Sequence, residues 1–381
     1  MRNGGDPFRV YDNGVAFAQA DGFLLVGTTA TVKAAIAAAG KGGRGLADSS
    51  SAASARDSLP DQRFADLYLS AAGIDELLAG RSGLGSQLDT FVDFDASTGL
   101  AAALVASGDG LELRLHSALD PDRTKANPNF FQAFPSFDPS LAGEFSQDTL
   151  LYVEIGDPAE TVQALLRQAA VAAPSLVEAF NRFEGELGRS GVDIERGLLP
   201  VLSGKAAVGV ELGPAPFLTF AFDDVDEDRA REQMARLQVP LVEALSPEQT
   251  GQAPSFEAER IGDVVTRTVR LSPTLTLAYA IFDGKLVVST DPAGVRQAVE
   301  GNESLGGSNA FEAATSGASG GVSALVFLNL EALVRRSEPL GLDQIVRGFA
   351  EDFSRLNGIG LGVRGDEDSL DTTLSLDIEQ P

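Results

Sequence analysis

The densest group of carboxylates in the sequence is DDVDED, which contains Asp224, Asp226 and Asp228. These aspartates have the first three ligand spacings of a calcium-binding loop. Arg229 replaces the glycine that such a loop needs, and Ala235 replaces its closing glutamate. Acidic side chains also stabilise the first turn of a helix through the helix dipole. We therefore predict that these aspartates begin a helix, and we keep a weak calcium site as the alternative.

A second candidate for chemistry is the segment GASGG, which matches Gly-x-Ser-x-Gly around Ser319. A nucleophile elbow of this kind requires a strand before it, a helix after it and a histidine further along the chain. The single histidine, His116, lies upstream, in a hairpin that we predict at the edge of a sheet. We therefore interpret GASGG as a glycine-rich loop and His116 as a surface residue, and we predict no catalytic residues.

A third candidate is the segment Gly40–Gly45, GKGGRG, which resembles a phosphate-binding loop but lacks its full spacing and its Ser or Thr. It also follows a predicted helix, whereas a phosphate loop precedes one. The chain contains no cysteine, which excludes thiolate chemistry and disulfides. We therefore predict a non-enzymatic protein that holds no cofactor.

The composition limits the range of partners. A net charge of −26 and a pI near 4.3 argue against nucleic acid and anionic membrane surfaces, because both require basic patches. Hydrophobic residues make up 44% of the 381 positions, which is enough for two or three domains with their own cores. We find neither an apolar run that could span a bilayer nor the apolar region of a signal peptide after Met1–Asp6. The predicted partner is an unidentified protein or an apolar ligand, and no transmembrane segment is predicted in this chain.

Two similar stretches, Val15–Thr28 and Leu277–Thr290, organise the elements that carry these residues. Each contains an Asp-Gly pair between apolar runs, with the aspartates at Asp21 and Asp283. This pattern is a strong signal for a β-hairpin with a tight turn. We therefore predict a hairpin at each stretch.

A helix is predicted directly after each hairpin. After the later hairpin, Asp291 is the expected N-cap, Pro292 the first helical residue and Gly301 the end. After the earlier hairpin, Thr28 or Thr29 is the expected N-cap.

The similarity between the two stretches continues along the chain. The segment ADLYL resembles ALVFL, and the hairpin that contains Gly99 resembles the hairpin that contains Gly358. These later matches share an offset of about 259 positions, which is far longer than the repeat of a solenoid. We therefore predict a domain duplication in which Asp21 superposes on Asp283 and Gly99 on Gly358.

The duplication predicts the domain organisation. Residues 1–120 form a first, incomplete repeat, residues 121–146 a linker rich in proline and phenylalanine, and residues 147–381 a second, complete repeat. The linker phenylalanines indicate that this segment packs against a domain; they are Phe130, Phe131, Phe134 and Phe137.

The second repeat reads as an alternation of hairpins and helices. Strands are predicted at 150–155, 206–212, 217–222, 264–271, 275–282 and 285–289, and helices from Pro158, from Pro174 and over 226–245. This alternation predicts an α+β fold, a duplicated unit of mainly antiparallel sheet with helices packed on one face.

Several motifs also resemble a bacterial family, the domain of unknown function 3352. They are QDTLLYVE at Gln147–Glu154, LLPVLSG at Leu198–Gly204 and DGKLVV at Asp283–Val288. The resemblance covers nearly the whole chain, with the first repeat incomplete. It implies an exported protein tethered by one N-terminal transmembrane helix, and it implies no catalytic residues. The predicted location is therefore extracytoplasmic, on the cell-surface side of the membrane.

The first repeat starts almost at its hairpin, with Phe8–Tyr11 equivalent to Thr266–Leu271. It has no counterpart of the strand LLYVEI, of the two helices that follow it, or of the hairpin Ala206–Phe222. A sheet that lacks those strands would leave backbone groups unpaired at its edge. We therefore expect residues 1–120 either to have an open sheet edge or to borrow a strand from the second repeat, and we expect a complete protein with more than 100 further residues upstream and a membrane anchor.

The function that these observations favour is a non-enzymatic, extracytoplasmic binding or scaffold protein. The alternative is a carrier that holds an apolar ligand such as a lipid between sheet and helices. A large apolar cavity would favour the carrier, and an exposed apolar patch over a filled core would favour partner binding.

Overall fold

The fold is divided into two compact units, Met1–Ser58 and Leu59–Pro381. The computed structural model describes residues 2–3, 6–11, 14–20, 22–39, 46–79, 96–108, 110–126, 130–172, 174–189, 199–212, 215–245, 254–273, 275–318, 320–336 and 355–378. Ten α-helices and seventeen strands lie in these residues.

The first unit is a four-stranded antiparallel sheet with a helix packed on one face. Its strands, in spatial order, are β1 (Arg2–Asn3), β2 (Asp6–Val10), β3 (Val15–Ala20) and β4 (Phe23–Thr28), and its helices are α1 (Thr29–Ala39) and α2 (Ser50–Asp57). β3 and β4 form the predicted hairpin, although Asp21 lies outside the described residues. The amide of Thr31 donates to Thr28 Oγ1 at 3.2 Å, so Thr28 caps α1 as predicted.

The second unit is built on one sheet of thirteen strands. These are β5 (Ala65–Ser70), β6 (Ser97–Ser107), β7 (Gly110–Leu119), β8 (Leu151–Gly156), β9 (Lys205–Leu212), β10 (Pro216–Phe222), β11 (Glu257–Ile261), β12 (Val264–Arg270), β13 (Thr276–Phe282), β14 (Lys285–Ser289), β15 (Ala324–Asn329), β16 (Leu356–Gly365) and β17 (Ser369–Ile378). The helices are α3 (Ala71–Ala79), α4 (Pro121–Ala126), α5 (Pro158–Ala172), α6 (Pro174–Arg189), α7 (Glu227–Leu245), α8 (Pro292–Glu300), α9 (Asn309–Thr315) and α10 (Leu330–Arg336).

The strand order in this sheet is β11-β12-β13-β14-β10-β9-β8-β15-β16-β17-β7-β6-β5. Every pairing is antiparallel. The predicted α+β class with a mainly antiparallel sheet is therefore confirmed. The strands and helices predicted for the second repeat are also confirmed, whereas β11 was not predicted, because its sequence EAERI is polar and its residues are mostly exposed.

The prediction that helices pack on one face is wrong for β13 and β14. Ala278 and Ala280 of β13 share a core with Val295 of α8, whereas Tyr279 and Ile281 share a core with residues of α7. Because side chains alternate along a strand, these two cores lie on opposite faces of the sheet. The apolar run TLAYAIF is typical of a strand that is buried on both faces.

The predicted boundary at residue 120 does not separate compact units. β7, from the predicted first repeat, pairs with β17 of the second, so residues 59–120 belong to the large sheet. This pairing also places His116 inside the sheet and not in an edge hairpin; the edge strands are β11 and β5. The predicted linker begins with α4, and Phe134 and Phe137 in it are buried as expected, whereas the side chains of Phe130 and Phe131 lie outside the described set.

Strands of the two predicted repeats pair in the same register. Ala101 pairs with His116 in β6–β7, and Gly360 pairs with Ser375 in β16–β17, an offset of 259 positions for both partners. Gly99 pairs with Ser70, and Gly358 pairs with Asn329, at the same offset. β5-β6-β7 and β15-β16-β17 therefore have one pairing scheme, which is the pattern that a duplication predicts.

Candidate functional site

A groove lies between helix α7 and strands β12 and β13, with a volume of about 600 Å³. Its lining residues are Glu227, Arg231, Ala235, Gln238, Asp263, Val264, Val265, Arg267, Tyr279, Ile281, Phe282 and Asp283. α7 follows β10, and its apolar stripe of Ala230, Met234 and Leu237 packs on the sheet. The polar side chains of α7 at the border of that stripe form one wall of the groove.

The floor of the groove contains a buried tyrosine that is held in place from both sides. Gln238 Nε2 donates to Tyr279 Oη at 2.7 Å. The ring of Phe256 meets the Tyr279 ring edge to face, with centroids 5.6 Å apart. Burial raises the pKa of Tyr279, so this hydroxyl stays protonated near neutral pH.

One end of the groove is acidic. Glu227 Oε1 accepts a hydrogen bond from the Gly284 amide at 2.8 Å, and its other oxygen is paired with Arg231. The Gly284 amide is the main reason that the pKa of Glu227 is lowered, followed by the hydrogen bond and charge of Arg231. Asp263 and Asp283 are exposed at the β11–β12 and β13–β14 turns and form no ion pair within the part of the chain that the structure describes.

The other end of the groove is basic. Arg267 lies on β12 directly opposite Tyr279 and is half-buried. Among the described residues it has no ion-pair partner, although its charge acts on Tyr279. Arg231, the second arginine of the lining, is already paired with Glu227 and Asp228. Arg267 is therefore the guanidinium of this groove that is available to an anionic group.

The predicted calcium candidates lie at the start of α7. Asp226 Oδ1 accepts from the Arg229 amide at 3.1 Å, as an N-cap does, and Asp228 pairs with Arg231 at 3.2 Å. Asp224 is exposed and has a positive φ of 54°. In the described ranges no three His, Cys, Asp or Glu side chains are grouped to hold a metal ion. Asp226 and Asp228 therefore lie at the start of a helix, as predicted, whereas Asp224 precedes it.

The other motifs are only partly described. Ser319 and the segment 40–45 lie outside the described residues. His116 Nδ1 is 2.7 Å from Asp371 Oδ1, so the His116 ring is hydrogen-bonded to Asp371 across strands β7 and β17. The Asp371 hydrogen bond is the main reason that the pKa of His116 is raised, against the opposing effect of burial.

A buried carboxylate on β8 has a structural role. Glu154 Oε2 accepts from the Tyr152 hydroxyl at 2.6 Å, and Oε1 accepts from the amides of Ser140 at 2.9 Å and Leu141 at 3.2 Å. Burial raises the pKa of Glu154, and these hydrogen bonds partly offset the rise. Glu154 thus fixes the segment before β8 to the sheet core.

An apolar face of the first unit is exposed. Leu24 is 72% exposed and Val26 55%, on the face of β4 that carries Phe17 of β3 as a cross-strand neighbour. The Tyr11 ring packs edge to face on Phe17, with centroids 5.4 Å apart. The opposite face of the same hairpin is buried under α1. We call the exposed side, Tyr11, Phe17, Leu24 and Val26, the β3–β4 apolar face.

Comparison with known proteins gave no match to a family model, to a curated protein or to a solved structure. The resemblance to the domain of unknown function 3352 therefore stays a prediction. No helix within the described residues has both the length and the apolar character to cross a membrane.

Proposed function

We propose that this chain is a non-enzymatic, extracytoplasmic binding or scaffold protein, and that the β3–β4 apolar face is its partner-binding surface. The observation that supports this proposal is the contrast between Leu24 and Leu286. In the predicted repeat these residues occupy equivalent positions of the two hairpins, yet Leu24 is 72% exposed and Leu286 is 2% exposed. An exposed apolar patch of this kind typically marks an interaction site.

The later hairpin indicates what covers such a face. Leu286, Tyr279 and Ile281 pack under α7, an amphipathic helix that contributes Met234 and Leu237. Phe17 occupies the position equivalent to Tyr279 in the earlier hairpin. We therefore propose that the occupant of the β3–β4 apolar face is an amphipathic helix of a partner protein, with leucine and methionine side chains on its apolar stripe.

The extracytoplasmic location rests on the resemblance to an exported family. The absence of enzymatic activity rests on the sequence, which has no cysteine and one histidine.

The test uses a helical probe taken from the chain itself. A fluorescent peptide of residues 225–245, the sequence of α7 with its N-cap, is titrated with the full-length protein and followed by anisotropy. We expect binding that Leu24→Glu weakens about tenfold or more, because a charge replaces a buried leucine contact. Val239→Glu is the matched control, since Val239 is 64% exposed on α7. The proposal fails when the peptide does not bind, or when Leu24→Glu and Val239→Glu bind it equally.

The alternative, a carrier of an apolar ligand, has less support. The groove beside α7 lies between sheet and helix, where such a ligand was expected, but five of its lining side chains are charged. A lipid tail would desolvate these groups without compensation. The groove suits a polar ligand better.

A further inference from the structure

The groove beside α7 carries charges of opposite sign at its two ends. Asp263 and Asp283 lie at turns on the same end of the sheet, next to Glu227 at the start of α7. Arg267 lies four residues along β12 from Asp263. At about 3.3 Å per strand residue, the backbone positions of these two residues are about 13 Å apart.

The chemistry between the two ends is that of a peptide-binding site. The floor between the ends is apolar, with Val265 and Ile281. Tyr279, opposite Arg267, presents a hydroxyl that remains protonated, and Gln238 adds an amide group. These groups can exchange hydrogen bonds with a neutral amide, and the apolar floor accepts small side chains.

We propose that this groove binds short peptides with free ends, whose α-carboxylate pairs with Arg267 and whose α-ammonium lies beside Asp263 and Asp283. A guanidinium forms two parallel hydrogen bonds with a carboxylate, which favours this group over a neutral end. An extended chain spans at most about 3.3–3.6 Å per residue, so three or four residues match the length of the groove. This site is separate from the β3–β4 apolar face and does not depend on it.

Three features of the protein favour a peptide with free ends over other ligands. A net charge of −26 repels polyanions, and the carboxylates at one end exclude a second anionic group there. A ligand with an apolar tail would place that tail against Glu227 and Asp263. A dipolar ligand satisfies both ends of the groove at once.

The experiment is a thermodynamic cycle with the full-length protein and tetraalanine. Isothermal titration calorimetry compares the peptide with free ends, its C-terminal amide and its N-acetyl form. The protein variants are Arg267→Gln and Asp263→Asn, with Arg270→Gln and Glu259→Gln as controls, because Arg270 and Glu259 are exposed and do not line the groove. Thermal unfolding of each variant verifies that it folds.

We expect amidation and Arg267→Gln each to weaken binding about tenfold or more, and amidation to have no further effect on Arg267→Gln. Acetylation and Asp263→Asn should likewise each weaken binding, and acetylation should have no further effect on Asp263→Asn. The controls should bind the free peptide like the wild type. Three results would overturn the proposal. The first is that no peptide of two to five residues binds, and the second is that the effects of amidation and Arg267→Gln are additive. The third is that dodecanoate binding requires Arg267 whereas peptide binding does not.

Discussion

His116 and Asp371 form a hydrogen-bonded pair, with Nδ1 and Oδ1 2.7 Å apart, directly across the β7–β17 junction of the large sheet. At the predicted offset of 259 positions, His116 corresponds to Ser375 and Asp371 corresponds to Glu112. Glu112 and Ser375 also pair directly across the same two strands. Exchanging the two predicted repeats therefore maps the β7–β17 pairing onto itself, as the two-fold axis does for an isologous contact between two subunits.

The His116–Asp371 pair predicts a pH dependence of stability. The Asp371 hydrogen bond raises the pKa of His116 in the folded protein above its unfolded value near 6.5. The pair therefore contributes its full stabilisation of the folded protein below about pH 6.5, and this contribution is lost as the pH rises through the pKa of His116 in the folded protein. We expect His116→Gln to lower the free energy of unfolding at about pH 6 and much less at about pH 9.

The single histidine makes this prediction directly measurable by NMR. The imidazole signal of His116 should titrate with a raised pKa, and Asp371→Asn should lower it. Asp368 also raises this pKa through its charge, so Asp368→Asn should have a smaller effect in the same direction. An unchanged pKa in Asp371→Asn would contradict the assignment.

Removal of the Tyr152 hydroxyl should destabilise the core. In Tyr152→Phe, Glu154 Oε2 loses its 2.6 Å hydrogen bond in a fully buried environment. We expect a loss of about 1–3 kcal/mol in the free energy of unfolding, together with a further rise in the pKa of Glu154. Urea unfolding measures the loss. Tyr11→Phe is the control, since Tyr11 is 52% exposed and should change stability little.

The close approach of α9 to β16 requires glycine at position 360. A Cβ on Gly360 would overlap the carbonyl oxygen of Ala314 in α9. Because backbone cannot move aside as a side-chain end can, we expect Gly360→Ala to cost about 1–3 kcal/mol or more. Gly143→Ala is the matched control, as no atom lies within 4 Å of its added Cβ. Equal melting temperatures for the two variants would contradict this packing.

Local structure was predicted well because it depends on neighbouring residues. Asp291 accepts from the Ala293 amide, Pro292 begins α8 and Gly301 ends it in the left-handed conformation, as expected. Asp283 and Gly284 both have positive φ, which is the predicted primed turn. These features require only a few consecutive positions in the chain.

Long-range structure was predicted less well because its partners are far apart in the chain. The β7–β17 pairing joins residues separated by more than two hundred positions, and the sequence offers no register signal for it. The groove combines Gln238, Arg267 and Tyr279 from separate elements, so no motif could have identified it. The unbroken apolar run of β13 was the sequence signal that helices cover both faces of the sheet at this strand.

The boundary between the two units predicts which part of the chain folds by itself. Residues 59–381 contain all thirteen strands of the large sheet, so a protein limited to them should retain the thermal transition of that sheet. Residues 121–381, the division suggested by the sequence, lack β5, β6 and β7. That shorter protein would expose the edge of β17 and lose the partner of Asp371. We expect it to unfold at a lower temperature and to associate through the free edge. Circular dichroism and size-exclusion chromatography compare both proteins with the full-length chain; equal melting temperatures and a monomeric 121–381 would show that the β7–β17 junction contributes no stability.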